Sequence, residues 1–101
     1  MVALGVFAPA AASWAAVQAI GQHNLKFSQS KVAVRRGDTV TFSNNDDVTH
    51  NISVRGAAGG DTEDLGLQKP GVQVSHRFDQ AGAYSVVCSI HPRMRLAVSV
   101  N

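Results

Sequence analysis

A chain of 101 residues has room for one domain, and losing the first twenty or so would leave about 80 for a core, a size that often needs a disulfide or a bound metal. Cys88 is the only cysteine, so no internal disulfide can form and a metal is the remaining staple. Nine Lys and Arg against seven Asp and Glu give a formal charge of +2, and the basic residues are scattered from Lys26 to Arg95, which argues against nucleic-acid binding.

Residues 1–21 contain no charged side chain, and the run from Val2 to Ala12 is apolar and rich in small residues. This segment reads as an export signal or a remnant of one, although the Lys or Arg that usually precedes the apolar stretch is missing. Small residues suited to cleavage follow at Ala12, Ala15, Ala16 and Ala19, while Pro9, Ser13 and Gln18 interrupt the run and disfavour a spanning helix. Residues 22–101 are then expected to form one exported, periplasmic domain, in contact with a membrane only if the amino-terminal segment is retained.

From residue 24 the pattern changes to short alternating runs bounded by turn residues. Strands are predicted at 24–28, 31–35, 39–44, 50–55, 71–78, 83–88 and 94–100. Arg36-Gly37-Asp38, Asn44-Asn45-Asp46-Asp47, Pro70-Gly71 and Asp79-Gln80-Ala81-Gly82 supply turns. Residues 56–64 read as a long loop whose acidic end, through Asp61, Glu63 and Asp64, is a solvated surface. Seven strands in so short a chain predict an all-β, two-sheet antiparallel sandwich.

Residues two apart on a strand share a face. Val40 with Phe42, Ile52 with Val54, Tyr84 with Val86, and Leu96 with Val98 and Val100 should therefore point inward. One step further along these rows lie His50, Cys88 and Met94. Cys88 ends its strand, Met94 begins the next, and His50 begins its own; if that strand runs antiparallel to 83–88, the three meet at one end of the sandwich. His91 hangs in the connecting loop and completes the set.

A thiolate, two imidazoles and a long thioether in a trigonal arrangement suit a copper ion that cycles between Cu(I) and Cu(II). The spacing Cys88-x-x-His91-x-x-Met94, with His50 at the mouth of a distant strand, offers those four groups. Each has an ordinary reading by itself: Cys88 and Met94 as buried packing residues, His50 and His91 as strand-end and loop histidines. Their joint spacing favours one metal site. His76 shares parity with Val72, Val74 and Phe78 and is expected in the core, and His23 at the surface, neither being needed to complete the set.

The segments Arg36-Gly37-Asp38-Thr39-Val40-Thr41-Phe42, His50-Asn51, Gly82-Ala83-Tyr84 and Cys88-Ser89-Ile90-His91-Pro92-Arg93-Met94 resemble those of cupredoxins of the plastocyanin and amicyanin group. The resemblance spans roughly residues 24–101, and the three-residue step from His91 to Met94 is similar to the short-loop amicyanin type. It implies a Greek-key sandwich, one type 1 copper ion with His50, Cys88 and His91 in plane and Met94 axial, and a monomeric carrier of single electrons between redox proteins. It further implies that Asn51 cross-links the ligand-bearing loops. Thr49 stands where the family often has proline.

Enzymes that contain type 1 copper need a second copper centre, commonly fed by a histidine next to the cysteine, whereas Cys88 is flanked by Val87 and Ser89. Catalysis by the chain is therefore not expected. A periplasmic copper-binding, delivery or storage protein without electron transfer is the alternative, and zinc also suits Cys and His ligands. Arg93 and Arg95 beside His91 predict a redox partner with an acidic docking surface.

Overall fold

The computed structural model describes residues 15–56 and 60–101. The apolar run 2–12, read above as part of an export segment, lies outside the described residues. Among the described residues there are nine strands: β1 Val17–His23, β2 Lys26–Phe27, β3 Lys31–Val34, β4 Asp38–Asn44, β5 His50–Gly56, β6 Thr62–Gln68, β7 Gln73–Phe78, β8 Gly82–Val87 and β9 Arg95–Val100. They form a four-stranded sheet in the order β2-β1-β4-β7 and a five-stranded sheet in the order β3-β9-β8-β5-β6.

The sandwich forms because apolar residues alternate along its strands and need an opposite face to bury them. Ile20, Val40, Phe42 and Phe78 come from the smaller sheet, while Ile52, Val54, Val86, Leu96, Val98 and Val100 come from the larger, and all are buried in one cluster. Each such aliphatic or aromatic side chain contributes roughly 1.5–3 kcal/mol when fully buried. The inward rows expected from parity are those observed, with Tyr84 half-buried and its hydroxyl donating to the Gln80 carbonyl at 2.8 Å.

The strand expected over 24–28 is reduced to β2, Lys26–Phe27, after a turn at Asn24 and Leu25, and three further features differ from the sequence reading. The first concerns residues 17–21, assigned above to the amino-terminal segment: they begin β1, which runs parallel to β4 from Val17 opposite Thr39 to Gln22 opposite Asn44. Its small, weakly alternating residues show no strand period, and only Ile20 and Gln22 in it are buried. The second concerns 56–64, where β6 begins at Thr62 inside the expected loop. Thr62, Glu63 and Asp64 are exposed on this edge strand, so no hydrophobic alternation marks it. The third is that the sheets are mixed, since β1–β4 and β3–β9 pair in parallel. Both pairs join strands distant in sequence, where no hairpin dictates direction.

Asp38 anchors the end of the sandwich remote from His50. Its carboxylate accepts the Ala16 amide at 2.8 Å and the Arg35 amide at 2.9 Å, while the Gly37 amide donates to the Phe78 carbonyl at 2.7 Å. Gly37 turns the chain with a φ of 90°, a conformation glycine adopts without steric cost. The Ala16 amide, then the Arg35 amide, hold the Asp38 carboxyl below its ordinary value. A lowered folded-state value means that its stabilisation is complete above the unfolded value of about 3.9 and is lost as pH falls through the folded value. Asp38→Asn should therefore lower the melting temperature at neutral pH and lose less stability than the native chain on acidification to about pH 3. Thermal unfolding followed by circular dichroism across that range checks both.

Candidate metal centre

His50 is the first residue of β5, opposite Gln68 of β6, and is wholly buried. The β8–β9 ladder closes at Val87 opposite Arg95, so Cys88 leaves one strand where Met94 enters the next. The intervening loop folds back on itself through Cys88 N–H to the Met94 carbonyl at 3.4 Å and Met94 N–H to the His91 carbonyl at 2.9 Å. Because β5 runs antiparallel to β8, its first residues lie beside the end of β8.

This topology brings three donor atoms together. Cys88 Sγ lies 3.6 Å from His91 Nδ1 and 3.9 Å from His50 Nδ1, and the two imidazole Nδ1 atoms are 3.1 Å apart. Among the described residues this is the one group of three or more His, Cys, Asp or Glu side chains placed to hold a metal ion. Metal–nitrogen and metal–sulfur bonds of about 2.0–2.3 Å would fit donors at such separations around one ion. The donor set is compatible with one type 1 copper ion.

Met94 is buried and lines the same groove as His91, beside Pro92 and Arg93. His76 is half-buried on β7, with its ring edge-on to Phe78 at 4.6 Å, and lies in a separate cleft with Asp61 and Glu63. His23 is exposed, 3.4 Å from the Asn45 carbonyl. Neither belongs to the donor group.

Two hydrogen-bonded frames hold the donors. Asn51 N–H donates to Cys88 Sγ at 3.3 Å, which fixes the position of the sulfur. Its side-chain oxygen accepts from the Ser89 amide at 3.1 Å and the Ser89 hydroxyl at 2.9 Å. Its side-chain nitrogen donates to Asp64 at 2.8 Å and to the Gly66 carbonyl at 3.1 Å. The cross-link implied for Asn51 is present, and it reaches a third segment, β6, as well. Asp64 is thus a structural acceptor as well as a solvated acid. The Gly66 amide, then the Asn51 side chain, lower its carboxyl's affinity for a proton.

The second frame centres on Asp46, which the sequence reading placed only in a turn. Its Oδ2 lies 2.6 Å from His50 Nε2, so that nitrogen carries the proton and Nδ1 keeps its lone pair facing Cys88 and His91. Desolvation raises the Asp46 carboxyl's proton affinity, yet hydrogen bonds from His50, Leu25 and Asn24 outweigh it and leave the group below its ordinary value. Beneath both frames, Gln68 donates from its side chain to the Phe42 carbonyl at 2.8 Å and the Val72 carbonyl at 2.6 Å, joining the two sheets near His50. No sequence period marks Asp46 or Gln68. The only sequence signal for Asp46 was its nearness to His50, and Gln68 reaches the site only through the β5–β6 ladder of the folded chain.

Comparison with known proteins agrees with this geometry. The family of copper binding proteins, plastocyanin/azurin family, matches residues 15–101. Plastocyanin of Scenedesmus fuscus is 36% identical over 74 residues, covering 66% of this chain and 76% of that one. Amicyanin of Paracoccus denitrificans is 33% identical over 78 residues, covering 76% of this chain but only 60% of its own length. The structure of the Cu(I) form of an amicyanin variant superposes with a TM-score of 0.77 at 28% identity, covering 91% of this chain and 89% of that one. The chain belongs to the plastocyanin/azurin family of copper-binding proteins.

Proposed function

We propose that the chain is an exported blue copper protein that carries single electrons between redox proteins in the periplasm. The observation that carries this reading is the convergence of Cys88 Sγ with two imidazole Nδ1 atoms at 3.1–3.9 Å, beside a loop that ends at Met94. His50, Cys88, His91 and Met94 would hold the ion. Bound there, copper supplies a one-electron couple between Cu(I) and Cu(II). The protein's own part is to keep the donors in place. Asn51 ties Cys88 and Ser89 to β6 and Asp46 holds the His50 ring, bonds that limit reorganisation of both ligands when the charge changes.

His91 is half-buried and borders a cleft of about 440 Å³ with Leu25, Ile90 and Pro92, while Lys26 and Arg93 line the same cleft. Leu25 and Ile90 are each 47% exposed. An apolar centre with a basic rim around a ligand's outer edge suits brief docking of an acidic redox partner, with the monomer presenting one such face. A copper delivery protein would share the donors without the need for a rigid site. The two hydrogen-bonded frames that hold His50 and Cys88 favour electron transfer.

The absorption spectrum of the oxidised, copper-loaded protein tests the reading directly. An intense visible band from sulfur-to-copper charge transfer is expected, and Cys88→Ser should abolish it; persistence of the band in that variant would overturn the ligand assignment. Met94→Leu should retain copper, since a long thioether contact adds little affinity, but should raise the reduction potential measured by voltammetry. An unchanged potential and spectrum would remove Met94 from the ligand set. Arg93→Glu should leave the spectrum intact and slow electron transfer to an acidic partner at low salt, with the difference shrinking as ionic strength rises. Stopped-flow kinetics over a salt series measures this, and equal rates at every salt concentration would exclude steering by the basic rim.

A further inference from the structure

Asp46 touches both the tip of the β1–β2 hairpin and the metal centre. Its Oδ2 accepts from His50 Nε2 at 2.6 Å and from the Leu25 amide at 3.0 Å, while Oδ1 accepts from the Asn24 amide at 2.5 Å. The Asp46 side chain is only 8% exposed and His50 is fully buried. Asp46 is itself held, since its amide donates to the Asn44 side chain at 2.9 Å and Asn44 donates onward to the Val48 and Gln68 carbonyls, each at 2.8 Å.

Asn24 and Leu25 form the two-residue turn between β1 and β2, with φ of 54° and 59°. Both central residues of such a turn need positive φ, which suits Asn-Gly sequences. Asparagine tolerates this conformation, whereas for leucine it costs roughly 1–2 kcal/mol. The turn nevertheless carries leucine, and that side chain stands exposed at the rim of the groove that His91 borders. Its amide and that of Asn24 both end on the carboxylate that holds His50.

We propose that Asp46 is a positioning residue that ties the exposed hairpin tip at Leu25 to the copper ligand His50, so that the docking face and the metal centre are held by one carboxylate. The inference rests on the copper reading above and adds two consequences. The carboxylate fixes the His50 tautomer before any metal arrives. Its negative charge also lies behind the ring, where it favours the more positive oxidised state and so depresses the reduction potential.

Two variants separate charge from hydrogen bonding. Asp46→Asn keeps the size and one acceptor oxygen but removes the charge; Asp46→Ala removes both. In the metal-free protein, nitrogen-15 NMR should show His50 as the single Nε2–H tautomer in the native chain and in Asp46→Asn, and as a mixture in Asp46→Ala. Hydrogen exchange at the Leu25 amide should be at least tenfold faster in Asp46→Ala. In the copper-loaded protein, Asp46→Asn should raise the potential, with a tenfold change in relative affinity for the two oxidation states corresponding to ~59 mV. Leu25→Gly, which relieves the backbone strain and keeps the amide, should leave tautomer and potential unchanged. A native potential in Asp46→Asn would overturn the electrostatic part. A single His50 tautomer with a protected Leu25 amide in Asp46→Ala would overturn the positioning part. Failure of the copper reading itself would appear differently, as a native protein without the intense visible band, and the metal-free measurements would still decide whether Asp46 positions His50 and Leu25.

Discussion

Two imidazole nitrogens and a thiol sulfur crowded within 4 Å of one another at the buried end of a sandwich are an awkward arrangement for a protein. Buried polar atoms are stable only when each has a partner, and these three lie within hydrogen-bonding reach of one another, where a cation could also be shared between them. The chain must therefore spend part of its fold preventing the donors from turning away. The bond from His50 to Asp46 and that from the Asn51 amide to Cys88 answer that requirement.

The side chains that hold the site come from elements that a short core would otherwise leave loosely joined. Gln68 of β6 reaches across to the Phe42 carbonyl of β4, and its side-chain oxygen accepts from Gln22 of β1 at 2.7 Å. All of these groups are fully buried. They form a polar seam between the two sheets beneath the metal centre, in the region where an apolar core would slide more freely. Hydrogen bonds with fixed directions specify one register. Gln22 Oε1 is the one buried side-chain polar atom among the described residues without a partner, so the seam is almost fully satisfied. The remote end is closed by Asp38 with the Ala16 and Arg35 amides, which leaves the sandwich pinned at both ends by side chains accepting backbone N–H groups.

The surface around the centre is asymmetric. Lys26 and Arg93 line the groove on one side of Leu25, and Asp46 and Asp47 line a cleft with Val48 on its other side. Leu25 thus stands at the boundary between a basic and an acidic rim, beside the exposed Ile90. A partner that approaches this face meets apolar side chains at its centre and opposite charges at its edges. Such an arrangement selects orientation more than affinity.

Much of this was legible in the residues themselves. The inward rows of β4, β5, β8 and β9 followed from alternation with period two, because a half-buried strand must place its apolar residues on one side. The same parity carried His50, Cys88 and Met94 toward one end, and the short Cys88–Met94 spacing placed His91 within reach, since a tight loop confines its members to a small volume. The segments that carried no periodic signal were those whose structure is imposed by neighbours. β1 becomes a strand by pairing with β4, and β6 by pairing with β5, although neither has a continuous apolar face. Asp46 and Asp64 looked like turn and surface residues, and Gln68 carried no signal, because their chemistry is polar and their sequence context local. What assigns them to the metal centre is the position of acceptors and donors from distant segments, at Leu25, Asn51 and Phe42, and hydrogen-bond geometry of that kind exists only once the chain has folded.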